Sequence, residues 1–164
     1  MQKYHCPQLL ACPQLLARVE RAMVSAYDVM PTLMDYLGQG TPAEDLNLPG
    51  RSIRGLLEGK PSGSREEVVV FDEYGPVRMI RTAEWKYVFR HAYGPHELWD
   101  LKNDPDERHN LIDDPGQTAR VKELHGRMEE WFSRYVDPTI DGLRMDGASM
   151  GQTGPVWESG AFRR

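Results

Sequence analysis

Apolar residues gather in three short runs between residues 67 and 91 and then recur three and four apart along a later stretch. The runs are Glu67–Tyr74 (EVVVFDEY), Val77–Thr82 (VRMIRT) and Lys86–His91 (KYVFRH). They are rich in Val, Ile and aromatic residues, and they predict strands. Gly75-Pro76 and Ala83-Glu84 supply turns short enough to make neighbouring strands antiparallel. A fourth short strand is expected over Glu97–Leu101. Over residues 116–136, Val121, Leu124, Met128, Trp131 and Tyr135 keep helical spacing. At 1.5 Å per residue such a helix runs roughly 30 Å, enough to cross a small sheet. The expected class is α+β, a small four-stranded antiparallel sheet packed against a long C-terminal helix.

An earlier helix is expected over Val29–Leu37. Ser25 and Asp28 form a capping-box-like start, Pro31 falls in or just past the first turn, and Gly38 offers a left-handed stop. Its Val29, Met30, Leu33, Met34, Tyr36 and Leu37 surround the axis instead of forming one stripe. A helix apolar on most sides expects to be buried on most sides. A second short helix is expected from Ser52, as its cap, to Glu58.

Composition narrows the function classes. At 164 residues the chain has room for one domain, and its net charge of −5 supplies no basic field for nucleic acid or an anionic membrane surface. No apolar run approaches the ~20 residues of a membrane span. The two cysteines, Cys6 and Cys12, sit in a tandem duplication, CPQLLA-CPQLLA. The apolar stretch before Cys12 is short and broken by Pro7, so a lipoprotein anchor is not expected, nor is a disulfide framework. Localisation is left open, with cytoplasm as the default because no signal peptide is convincing.

The segment Glu97–Leu111, ELWDLKNDPDERHNL, joins a strand end to an Asn-Asp-Pro turn and a charged loop. It resembles the "ELYDL-x-x-DP-x-E-x-x-NL" signature of sulfatases, hydrolases of the alkaline-phosphatase superfamily. Asp100, Leu101, Asp104, Pro105, Glu107, Asn110 and Leu111 stand where that pattern wants them, with Trp99 in place of Tyr. VSAYDVMPTLMDYLG (24–38), LPGRSIRGLL (48–57) and RMIRTAEWKYV (78–88) also resemble sulfatase segments, in the family's order. The resemblance covers roughly residues 19–140. It implies four stretches: 1–18, an unmatched N-terminal segment; 19–64, the end of the larger α/β sulfatase domain, including the helix left over from it, with a connecting loop; 65–140, the C-terminal subdomain; and 141–164, an irregular tail.

What the family uses for chemistry is not found in this sequence. Sulfatases resemble a two-part machine, with a Cys or Ser nucleophile in a C/S-x-P-x-R motif and a calcium ion held by carboxylate and amide oxygens. Cys6 and Cys12 are each followed directly by Pro, and Leu10 and Leu16 stand where Arg is needed. No catalytic residue and no metal ligand is therefore assigned, and no cofactor is expected in this chain, although calcium is expected in the full-length family. Gly147-x-Ser149-x-Gly151 has the nucleophile-elbow spacing but lacks the preceding apolar strand. Asp100, Asp104 and Asp106 have neither the spacing nor the glycine of a calcium loop and read as structural. Arg78, Arg81 and Lys86 read as a solvated sheet face balanced by Asp72, Glu73 and Glu84. By resemblance, loops of this subdomain border the active-site mouth, which makes Arg90, His91 and Tyr93 candidate substrate contacts.

The expected function is thus the C-terminal part of a sulfatase-type sulfuric ester hydrolase, inactive without its catalytic half. The alternative is a non-catalytic ligand-binding or interaction module of sulfatase descent. The expected partners are a sulfate ester only in the full-length enzyme, no nucleic acid, no membrane, and self-association through Val29–Leu37. The parent's substrate, its location and the oligomeric state are not encoded legibly.

Overall fold

The computed structural model describes residues 20–39, 47–60, 65–72, 77–91, 94–139 and 141, and the chain divides into two compact units, Met1–Ser64 and Arg65–Arg164. The Cys6/Cys12 duplication, the Gly75-Pro76 turn, Tyr93 and the glycine-rich tail with Ser149 lie outside the described residues.

The second unit is the expected sheet and helix. β1 (Glu67–Phe71), β2 (Val77–Thr82), β3 (Trp85–Arg90) and β4 (Glu97–Asp100) lie in chain order, each antiparallel to the next. The Ala83-Glu84 turn joins β2 to β3, and Trp85 N donates to the Thr82 hydroxyl across it at 3.0 Å. Register aligns Val69, Ile80, Tyr87 and Leu98 in one row across all four strands. That row meets Leu124, Met128 and Phe132 of α3 (Thr118–Tyr135), and these seven residues form the core. A 3-10 turn, Pro115–Gln117, opens the helix, with the Asp114 carboxylate accepting Gly116 N at 2.8 Å.

Two readings of the pattern are corrected here. The buried line of α3 steps by four through Leu124, Met128 and Phe132, whereas Trp131 and Tyr135 flank it. Trp131 sits half-buried beside the core, its ring against Phe71, Phe132 and Tyr135. Arg78 is not on a solvated face. It shares strand parity with Ile80, points to the helix side and is 1% exposed. Its guanidinium lies 3.6 Å from the Phe132 ring centroid and pairs with Glu129 and Asp141. Arg81 and Lys86 point the other way, Lys86 pairing with Glu107 at 2.5 Å.

In the first unit, α1 (Val29–Tyr36) follows a 3-10 turn over Ala26–Asp28. Ser25 and Asp28 form the reciprocal capping box, and Gly38 closes the helix at φ +69°. Asp28 does more than cap. Fully buried, it accepts Ser25 N at 2.8 Å and Arg51 N at 2.9 Å. Thr32 accepts Ile53 N at 3.0 Å while its hydroxyl donates to the Asp28 carbonyl. Gly50 lies so close to this turn that a Cβ would fall 2.0 Å from the Tyr27 carbonyl oxygen. The second short helix, α2, spans only Arg54–Leu57, with Ile53 at its cap position. The Ser52 hydroxyl accepts Arg54 N at 3.2 Å and donates to Asp35 at 2.6 Å, and Arg54 joins Asp35 to Glu58 while lying over Tyr36. The two family-like segments at 24–38 and 48–57 are therefore one hydrogen-bonded clamp.

The burial expected all around α1 is not seen. Its buried positions are Pro31 and Thr32, while Val29, Met30, Leu33, Tyr36 and Leu37 are exposed, Met30 at 64% and Leu37 at 70%.

Candidate functional site

The signature loop follows β4 and is held by its own acidic side chains. Asp100 accepts the backbone N–H groups of Lys102 and Asn103 at 3.1 and 3.0 Å and the Asn103 amide at 2.7 Å. The Asn103 side-chain bond is the main reason its carboxyl lies below the usual range. Asp104 accepts Arg108 N and His109 N at 2.7 and 2.8 Å. Desolvation pushes the Asp104 carboxyl up, but those N–H groups and His109 leave it lowered. Asp106 pairs with Arg108 at 2.9 Å. Each of the three aspartates thus makes contacts within the loop. Glu107 adopts φ +55°, uncommon for a side-chain-bearing residue, and reaches Lys86 on β3.

Asn110 and Leu111 end the loop by returning to β4. Leu111 N donates to the Leu98 carbonyl at 2.8 Å, and Leu98 N donates to Asn110 Oδ1 at 2.9 Å. Asn110 Nδ2 donates to the His96 carbonyl at 3.1 Å. The outer edge of β4 is thereby closed by one side chain and one backbone amide.

At the far end of β3 lie the residues singled out as substrate contacts. The Arg90 guanidinium pairs with Glu97 at 2.7 Å and donates to the Pro95 carbonyl at 2.6 Å. His91 is exposed in the turn, its ring 6.1 Å from Phe89. Tyr93 lies outside the described residues, so Arg90 and His91 alone of the three have a described environment.

The same place holds a grouping that sequence reasoning missed. Phe89 stacks on His96 with ring centroids 4.9 Å apart and meets His125 of α3 edge-on, also at 4.9 Å. His125 Nδ1 lies 3.4 Å from the Tyr87 hydroxyl. Burial and then the Glu129 charge push the Tyr87 phenol up to about 12. Strand parity puts Tyr87 and Phe89 on one face, but nothing in the sequence ties a helix residue near position 125 to them. Among the described residues no group of three or more His, Cys, Asp or Glu side chains is placed to hold a metal ion.

Comparison with known proteins gives this arrangement a lineage. A family model described as N-sulphoglucosamine sulphohydrolase, C-terminal, matches residues 2–134. A delta 4,5-hexuronate-2-O-sulfatase of Bacteroides thetaiotaomicron is 32% identical over 117 residues, which cover 67% of this chain and 24% of that protein. A multifunctional alkaline phosphatase superfamily protein of Trinickia caryophylli is 32% identical over 146 residues, covering 77% of this chain and 28% of its own length. The solved structure of a 2-O GAG sulfatase superposes with a TM-score of 0.54 at 33% identity, covering 65% of this chain and 24% of that one. The chain spans about a quarter of the length of each of these three relatives.

Proposed function

This chain belongs to the N-sulphoglucosamine sulphohydrolase C-terminal family, and from that premise we propose that it is the C-terminal part of a sulfatase-type sulfuric ester hydrolase, inactive by itself. The observation that carries the reading is the extent of the match, most of this chain against about a quarter of each sulfatase relative. The nucleophile, its activating arginine and the calcium ligands then belong to the remaining three quarters of the parent. The substrate of the whole enzyme is a sulfate ester, in keeping with the names of its relatives. The exposed apolar side of α1 supports the same view. Val29, Met30, Leu33 and Leu37 face outward here and are covered, in this reading, by the larger α/β domain. In the isolated chain they drive self-association.

Arg90, His91 and Tyr93 are proposed as the edge this unit offers to substrate in the assembled enzyme. Arg90 is already engaged by Glu97 and Pro95, which leaves the exposed His91 as the principal described candidate. No helix among the described residues is long and apolar enough to cross a membrane.

The test is hydrolysis of an aryl sulfate by the purified chain with added calcium. No turnover is expected. Turnover that survives purification and disappears when a residue of this chain is substituted would overturn the reading.

A further inference from the structure

His96 sits where the chain leaves the end of β3 and returns as β4. Its Nδ1 accepts the backbone N–H of Arg90 at 3.2 Å, so the ring that makes this bond carries its proton on Nε2. The stacked Phe89 ring blocks one face. Its backbone carbonyl is held by Asn110 and the neighbouring Pro95 carbonyl by the Arg90 guanidinium. The short 94–96 segment is therefore fastened to β3 from several sides, and one fastening depends on an unprotonated ring nitrogen.

We propose that His96 is an acid-sensitive latch: protonation of Nδ1 removes the acceptor for Arg90 N–H and frees the His96 ring from the end of β3, while the bonds from Gly94 N–H to the Arg90 carbonyl and from Arg90 to the Pro95 carbonyl remain. The charges facing it favour release once the proton arrives. Arg90 from β3 and His125 from α3 bring positive or titratable groups to the ring, and His91 lies against the same Phe89. Glu97 on β4 is the nearby anion, and it is already paired with Arg90. Tyr87 stands behind His125, neutral and unable to offset a second positive charge.

Burial first, then the charges of His125 and Arg90, lower the His96 pKa below the ordinary imidazole value. The stabilisation is thus fully present above about pH 6.5 and is lost as the pH falls through the lower folded-state value. The latch is closed at neutral pH and opens on acidification.

The test is an NMR titration of the full chain, following the His96 ring and the exchange of the Arg90 amide between pH 7.5 and 4.5. The His96 midpoint is expected below about 6.5. Arg90 amide exchange, corrected for its intrinsic pH dependence, should rise at least tenfold with the same midpoint. In His96→Asn, whose carboxamide oxygen can accept the same N–H without titrating, that rise should vanish. A His96 midpoint at or above 6.5, or Arg90 exchange that ignores it, would overturn the proposal. So would an unchanged acid response in His96→Asn.

Discussion

Asn110 and Leu98, twelve positions apart in the chain, meet where the signature loop returns to β4, the carboxamide oxygen of one accepting the backbone N–H of the other at 2.9 Å. A strand edge that would otherwise expose unpaired backbone is closed by a side chain. Asn110→Leu keeps the volume but strands Leu98 N–H and the His96 carbonyl. A loss of about 1–3 kcal/mol is expected, measured by urea unfolding of the full chain. Asn110→Asp retains the acceptor and should recover part of it. Equal losses for the two variants would show that the oxygen is not the group that matters.

Gly50 lies against the carbonyl of Tyr27 with no room for a methyl group. Gly50→Ala must push segment 50–53 off the start of α1, breaking the Asp28 and Thr32 bonds together. The expected signature is local, with amide protection of Arg51 and Ile53 lost and that of β2 and β3 unchanged. Overpacking of this kind costs typically about 1–3 kcal/mol. Retained protection at both amides would mean that the clamp absorbs the methyl without opening.

Phe132 and Trp131 are adjacent on α3 but differ in burial. Phe132 is inside the core beneath Arg78, while Trp131 borders it. Phe132→Ala should cost about 3–5 kcal/mol, and Trp131→Ala distinctly less despite the larger ring. Chemical denaturation of the two variants decides the order. A larger loss at Trp131 would reassign the buried side of the helix.

The Tyr87 phenol, pushed up to about 12 by burial and the Glu129 charge, ties stability to alkaline pH. An unfolded tyrosine ionises near 10, so the folded protein holds the neutral form. The contribution is complete below about pH 10 and is lost as pH rises through 12, amounting at most to about 3 kcal/mol. Tyr87→Phe should flatten that part of the stability profile. Tyrosinate absorbance of wild type minus variant should show the corresponding late titration.

Strands and helices were legible where one physical rule dominated. Val77–Thr82 is β2 to the residue, because the β-branched Val77, Ile80 and Thr82 run between two turn signals. The long helix emerged from its three-and-four spacing, but that spacing equally admits Trp131 and Tyr135, and only packing into the core it shares with the sheet selects Phe132. Arg78 was misread because arginine usually faces water, although its parity with Ile80 pointed inward. All-round burial of α1 does not follow from its all-round apolar pattern, which reports what a helix can pack against and leaves Val29, Met30, Leu33, Tyr36 and Leu37 exposed here. The Asp28–Arg51 bond leaves no sequence trace on the donor side, since any residue but proline offers a backbone N–H. The grouping of Phe89, His96 and His125 joins a strand, a turn and a helix, so no local pattern contains it.

The strand order β1-β2-β3-β4 has a kinetic meaning. Every strand pairs with its neighbour in sequence, so the meander can zip from hairpin to hairpin without first closing a long loop. Docking of α3 is the distant event, bringing Glu129 to Arg78 across 51 residues of chain. Newly made chains would therefore pass through a sheet with one bare hydrophobic side, and the speed of helix docking sets how long that surface is available for misassembly.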